Sequence, residues 1–207
     1  MSSKELLRNL LEINSIRINL KNPFNWASGW KSPFYFDNRI SLSYPPIRNK
    51  ITLSLVELCN KYYSDADVIA GVATAGIPQG SLVSNELNKP FVYVRSKPKS
   101  HGMENLIEGR LEKNKKVIVV EDLISTGASS IKAVEAIRKN ACNVACVLSI
   151  FDYGFEISKS NFSNINCDHK SLYNYDDLLT VALQNNYISQ DEIQELKKWR
   201  NNPEEWN

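Results

Sequence analysis

Few of the features that would place this chain in a special class are present. Its 207 residues contain no apolar run near the roughly 20 residues that a bilayer-spanning helix needs. The opening stretch MSSKELLRNLLEIN has the pattern of an amphipathic helix and lacks the unbroken apolar core of a secretory signal. Formal net charge is only +2, so no bulk field favours nucleic acid or a membrane surface. Histidine occurs twice, and the four cysteines (Cys59, Cys142, Cys146, Cys167) form no Cys-x-x-Cys pair, which argues against a zinc site. Cys142 and Cys146 would lie too far apart along an extended strand to be bridged. Reduced thiols in a cytoplasmic protein are the expectation. No internal repeat or long low-complexity tract occurs. What is left, 43% hydrophobic and 23% charged residues, is an ordinary globular composition for one large domain or a domain with a small addition.

Against that plain background one stretch stands out, KVIVVEDLISTGASSIKA at 116–133. Val117 to Val120 is a short β-branched run, as expected of a strand buried on both faces. Glu121 and Asp122 sit where that strand should end. A loop of small and hydroxylated residues, Ser125-Thr126-Gly127-Ala128-Ser129-Ser130, follows, and then Ile131, Val134 and Ile137 at helical spacing. A loop opening a helix aims several free backbone N–H groups one way, with the positive end of the helix dipole behind them, which makes a phosphate socket. Gly127 lets the backbone approach closely, and the hydroxyls add donors. Carboxylates have no use against the phosphate itself. Glu121 and Asp122 therefore face another part of the ligand, and vicinal sugar hydroxyls are the natural candidate because carboxylates only accept. Phosphate and diol together suggest a phosphorylated ribose. The plainer alternative makes Asp122 an N-cap and Gly127 a turn residue.

Around this stretch the chain alternates strand and helix. Residues 4–20 carry Leu6, Leu7, Leu10, Leu11, Ile13 and Ile16 at helical spacing. The segment FNWASGWKSPFYFDNR, 24–39, combines a Ser28-Gly29 turn with Phe34, Tyr35 and Phe36 beside Asp37 and Arg39. It is either a hydrophobic mini-core with a hairpin or a platform on which a flat heterocycle stacks. A helix spans 46–63, and a short strand, Asp67 to Ala70, precedes the glycine-bearing turn 71–76 and a helix from Ile77 to Leu87. That turn is either a plain βα connection or a second ligand contact, since two βα turns at the carboxyl ends of neighbouring strands make the usual crevice. After a strand at Phe91 to Val94, residues 95–115 form a long polar loop without internal structure, carrying Arg95, Lys97, Lys99 and His101. It is either a solvated basic segment or a hinged cover for an anionic ligand. A strand at Asn143 to Phe151, a polar linker KSNFSNIN, a strand at His169 to Tyr173 and two helices near 175–184 and 189–200 complete the chain. His169 is expected at the surface, and Trp199 and Trp206 are expected to anchor the last helix. The alternation predicts an α/β fold, a parallel twisted sheet flanked by helices.

With these pieces in order, the chain resembles the orotate phosphoribosyltransferases, over roughly residues 1–200. The stretch at 117–130 is similar to the sugar-phosphate signature of the wider phosphoribosyltransferase group. ASGWKSPFYFDNR (27–39) is similar to the Ser-Gly-x-x-Ser-Pro-x-Tyr-x-Asp segment of the orotate enzymes, and GVATAGIP (71–78) and VRSKPKSHG (94–102) also match that family. The resemblance implies a type I phosphoribosyltransferase-like fold: an N-terminal helix and hood (1–45), a core (46–174) with a basic flexible loop, and C-terminal helices on the core (175–207). It implies transfer of a phosphoribosyl group from 5-phosphoribosyl 1-pyrophosphate to orotate. Glu121 and Asp122 would hold the ribose hydroxyls. Leu123, Ile124, Ser125, Thr126, Gly127, Ala128 and Ser129 would hold the 5′-phosphate, and Ser125 would also touch orotate. The 73–74 turn would lie against pyrophosphate. Arg95, Lys99 and His101 would reach the pyrophosphate of a neighbouring subunit's site in a homodimer. Tyr35 and Phe36 would line the orotate pocket. Mg²⁺ would be bound through ligand oxygens rather than a protein cage. No nucleic acid or membrane partner is implied. Where some members of the family carry a Lys, a Tyr-Lys pair and an Arg, this chain has Ala27, Ala73-Thr74 and the Arg-free Phe151-Asp152-Tyr153-Gly154. Without that Arg, backbone N–H groups near 35–37 would grip the orotate carboxylate. A purine-type enzyme and a sugar-phosphate-sensing regulator are the competing classes, disfavoured by the hood sequence and by the near-neutral charge respectively.

Overall fold

The computed structural model describes residues 4–26, 29–97 and 106–206. Helix α1 (Lys4–Glu12) buries Leu6, Leu7, Leu10 and Leu11 on one face. The apolar pattern runs on to Ile16, but the helix does not. Asn14 adopts a left-handed backbone, φ 58°, and Ile16 opens strand β1 (Ile16–Ile18). Strands β2 (Phe24–Asn25) and β3 (Lys31–Ser32) form a small antiparallel hairpin. Its turn is closed by Trp26 N–H donating to the Trp30 carbonyl and Gly29 N–H to the Trp26 carbonyl, both at 2.9 Å. Strand β4 (Phe34–Phe36) pairs antiparallel with β1. A 3₁₀ turn at Asn38–Ser43 then leads into α2 (Pro45–Tyr62).

The rest is built on one six-stranded sheet. Strands β5 (Val68–Val72), β6 (Phe91–Val94), β7 (Ile107–Glu108), β8 (Lys116–Ile124), β9 (Asn143–Asp152) and β10 (His169–Asn174) stand in the order β10-β9-β8-β5-β6-β7. All pairings are parallel except β6 with β7. Helices α3 (Gly76–Glu86), α4 (Ala128–Lys139), α5 (Glu156–Asn164), α6 (Tyr175–Gln184) and α7 (Glu192–Asn201) complete the set. Successive β8 residues feed opposite apolar layers: Val117 and Val119 pack with Val134, Ile137 and Phe162, whereas Ile118 and Val120 pack with Ile51, Ile69 and Leu148. This is the expected parallel sheet with helices on both faces.

Two segments depart from expectation. The long polar loop is not structureless throughout. Its far end is β7, which returns beside β6, and Arg95 N–H donates to the Leu106 carbonyl at 2.8 Å, so the excursion springs from a hairpin base. The supposed linker is helix α5, held by Phe162 and Ser158, both buried. Its Asn and Ser content disfavours a helix in isolation, and burial of Phe162 overrides that preference.

The aromatic hood is tied to the far end of the chain. Trp199 is fully buried, its ring 5.6 Å from Phe34 and 5.7 Å from both Trp26 and Tyr175, and its Nε1 donates to the Lys31 carbonyl at 2.9 Å. Trp206, half-buried, donates to Glu195. Phe34, the centre of the hood, is fully buried, so this part of the segment is a mini-core.

Candidate active site

The site begins with a mismatch in strand length. β8 does not stop at Val120 but continues through Glu121 and Asp122 to Ile124. On one edge, β9 stays paired as far as Ile124 opposite Asp152. On the other edge, β5 is paired only as far as Gly71 opposite Val120, and the chain turns away into α3. The two acids therefore sit on a strand held from one side, with a notch on the other. Gly76 makes the notch tight, because a Cβ there would lie 2.4 Å from the Val120 carbonyl oxygen. The 71–76 turn is thus a packing device as well as a wall of the crevice.

A cavity of about 270 Å³ fills the notch, walled by Ala73, Thr74, the two acids and the loop 125–130. Glu121 is only 6% exposed. Its Oε1 accepts the Asp122 N–H at 3.0 Å and its Oε2 accepts from Ser130 Oγ at 3.4 Å. Burial, and then the adjacent Asp122 charge, push the Glu121 carboxyl well above the usual range. Burial raises Asp122 as well. The Asp122 carbonyl accepts from Asn38 Nδ2 at 3.2 Å, which binds the hood to the acid pair across 84 residues of sequence. A cavity holding two carboxyls that burial pushes upward suits a neutral, hydrogen-bond-donating partner such as a diol.

The loop wall is formed as its residue types suggested. Gly127 takes φ 79° and caps α4 without a side chain, leaving the first N–H groups of that helix to the cavity. Ala128 and Ser129 are exposed at this helix start, and Ser125 and Thr126 are half-buried. Leu123 packs against the core and Ile124 is fully buried. Leu123 still lines the cavity, whereas Ile124 does not.

Other expected site residues lie elsewhere. Arg95 lines a small cavity beside Val72, Ala73 and Ser129, with Nη1 3.4 Å from Glu108 Oε1. Lys99 and His101 fall outside the described residues. Tyr35 and Phe36 are not among the walls of the acid-and-loop cavity. Phe36 stacks on Phe151 at 4.2 Å, while Tyr35 turns the other way, 5.6 Å from Phe24 and with the Arg17 guanidinium 4.7 Å over its ring. Where an Arg might have stood, Tyr153 is buried, 5.0 Å from Trp26 and stacked on Phe155 at 5.3 Å. Asp37 N–H cannot serve a substrate carboxylate, because it donates to the Ser15 carbonyl at 2.8 Å. The alternation of the antiparallel ladder turns the Phe36 N–H away from β1, and it is the better donor.

Asn38 is a site residue that the sequence does not announce, and Ser130, read as the end of the hydroxyl-rich loop, was given no partner there; the structure sets it against Glu121. Asn38 carries no local signal, since its partner is distant in sequence. His169 is not a simple surface residue: it is 3.1 Å from Asp152 Oδ2 and stacks on Phe162 at 4.3 Å.

Comparison with known proteins covers nearly the whole chain. The phosphoribosyl transferase domain family matches residues 45–170. The orotate phosphoribosyltransferase of Cytophaga hutchinsonii is 50% identical over 204 residues, covering 99% of this chain and 98% of that protein. That of Bacteroides thetaiotaomicron is 52% identical over 197 residues, covering 95% and 93%. The crystal structure of orotate phosphoribosyltransferase from Aeropyrum pernix is similar with a TM-score of 0.76 at 26% identity, covering 89% of this chain and 99% of that one. A glycine-capped helix start beside an acid pair at the carboxyl end of the sheet, with half of all residues identical across nearly the whole length of these relatives, makes the chain a member of the orotate phosphoribosyltransferase family.

Proposed function

We infer that this protein transfers the phosphoribosyl group of 5-phosphoribosyl 1-pyrophosphate to orotate, giving orotidine 5′-phosphate and pyrophosphate on the way to UMP. The observation that carries the reading is a cavity in which the acid pair, Glu121 buried and Asp122 half-buried, and an uncapped helix start face the same space. Glu121 and Asp122 accept the ribose hydroxyls. The backbone of 123–129, with the Ser125, Thr126 and Ser129 hydroxyls, holds the 5′-phosphate. The bond from the anomeric carbon to pyrophosphate oxygen breaks, and a bond from the orotate ring nitrogen forms as that nitrogen gives up its proton. Positive charge develops on the ribose ring, where the acid pair offsets it. Arg95, Lys99 and His101 offset the charge of the leaving pyrophosphate, with Ala73-Thr74 beside it.

Orotate lies between this cavity and the hood, against Ser125, Tyr35 and Phe36, with the Phe36 N–H toward its carboxylate. The Mg²⁺ that the family implies fits the donor set. Two carboxylates stand at the cavity, and among the described residues no cluster of three or more His, Cys, Asp and Glu could cage a metal. Most of its ligands would be diol and pyrophosphate oxygens, and when bound it neutralises pyrophosphate charge. The assembly is a homodimer in which the loop carrying Arg95, Lys99 and His101 reaches the neighbouring site. Its setting is the cytoplasm, which suits four buried free thiols.

An ultraviolet assay tests the reaction: orotate absorbance should fall only with 5-phosphoribosyl 1-pyrophosphate and Mg²⁺ both present. Consumption of a purine base instead of orotate overturns the reading. Lys99→Ala should lower kcat on the order of a hundredfold while binding of 5-phosphoribosyl 1-pyrophosphate changes much less. Turnover within a few-fold of wild type removes Lys99 from the proposed machinery.

A further inference from the structure

Helix α5 does not line the acid-and-loop cavity, yet two consecutive residues of it touch the loop that shapes the cavity. Asn161 Nδ2 donates to the Thr126 carbonyl at 3.1 Å. The Phe162 ring lies so near Gly127 that a Cβ added there would meet it at 2.8 Å. The carbonyl of Thr126 and the N–H of Gly127 belong to one planar trans peptide unit and point in opposite directions. Holding that carbonyl toward α5 therefore turns the Gly127 N–H to the opposite side of the loop. The Phe162 ring blocks the loop from sagging back.

Phe162 is in turn fixed. It is 1% exposed, and the His169 ring stacks on it at 4.3 Å with the planes 20° apart. His169 Nε2 is 3.1 Å from Asp152 Oδ2, and the other Asp152 oxygen accepts the Gly154 N–H at 2.7 Å. Asp152 is the β9 residue paired with Ile124, where the loop begins. The far end of α5 is tied to α4, since Arg138 donates to the Ile165 carbonyl at 2.5 Å and to the Asn166 carbonyl at 3.0 Å. The circuit starts at one end of the loop and returns to its apex.

We propose that Asn161, Phe162 and His169 are positioning residues that set the backbone donors of loop 125–129 and thereby the affinity for the phosphorylated end of the sugar, without touching it. This rests on the assignment of the 5′-phosphate to that loop. Asn161 is half-buried at the helix surface, so Asn161→Ala leaves the core untouched.

The test uses ribose 5-phosphate as the probe in titration calorimetry, with KM for each substrate and kcat measured alongside. Asn161→Ala should weaken ribose 5-phosphate binding about tenfold, the worth of one net hydrogen bond. KM for 5-phosphoribosyl 1-pyrophosphate should rise in step, while kcat and KM for orotate stay within twofold. His169→Ala should shift the same two quantities in the same direction. Ser129→Asp, which places a carboxylate at the exposed helix start, should abolish probe binding. If Ser129→Asp does so but Asn161→Ala and His169→Ala leave probe affinity within twofold, the positioning role is wrong and the loop assignment stands. If Ser129→Asp leaves binding intact, the loop assignment falls and this proposal with it. A rise in both KM values together, or a fall in kcat alone, marks a merely structural role and also overturns it.

Discussion

The two sides of the crevice are made in opposite ways. The acid-and-loop side comes from one contiguous run, residues 117–130, in which strand, acids, loop and helix start follow one another. Its geometry comes from a strand that outruns its neighbour β5, so the acid pair sits where the sheet itself leaves a notch. The hood side is assembled from residues scattered over the chain: Phe34 meets Tyr175 and Trp199, Phe36 meets Phe151, and Asn38 meets Asp122. A contiguous site carries its meaning in local order. A scattered one carries it in packing, which a linear reading does not contain.

If that contrast is right, substitutions on the two sides should fail differently. The largest effect is expected at Asp122. Asp122→Asn should cut kcat/KM on the order of a hundredfold or more, with little change in melting temperature. An activity within a few-fold of wild type would remove the acid pair from the chemistry. Next comes Trp199→Ala, which empties a large buried site under the hood. It should cost about 3–5 kcal/mol, which lowers Tm by roughly 10 °C for a chain of this size. Below the new Tm, KM for orotate should rise while ribose 5-phosphate affinity holds. If both affinities fall together, the two sides are not separable.

Asn38→Ala tests a polar tie between them. Loss of that hydrogen bond should cost about 1 kcal/mol, and kcat/KM should fall several-fold because Asp122 loses its registration to the hood. No change in either would make the contact incidental. The one stability effect with reversed sign concerns Glu121. Burial raises its carboxyl above the ordinary value of 4.5, so the folded chain holds a proton that the unfolded chain has released. Stability from this group is therefore lost as pH climbs from about 4.5 through the raised value. Glu121→Gln removes the liability. It should abolish most activity yet raise Tm by ~3 °C, about 1 kcal/mol, at neutral or higher pH, with the gain shrinking toward pH 4. A variant less stable than wild type at every pH would refute the account of a strained acid.

The same contrast explains what could be read from the chain alone. The parallel sheet was legible because strands such as Val117 to Val120 are too apolar to be anything but buried. The acid pair and the loop were legible because their order is their geometry. Helix α5 was missed because Asn and Ser dominate it, and only burial of Phe162 between the loop and His169 makes it helical. His169 was misjudged for the same reason, its partners Phe162 and Asp152 being invisible locally. The helix over 4–20 was drawn too long because apolar spacing continues past Asn14, where the backbone reverses.

The hydrogen bond from the Trp199 indole to the Lys31 carbonyl spans 168 positions. Its consequence is one of timing. During synthesis the segment around Lys31 emerges early, but it has nothing to close upon until the helix bearing Trp199 has also been made. The part of the protein that is translated first is therefore completed last, after the strands of the central sheet have all been made.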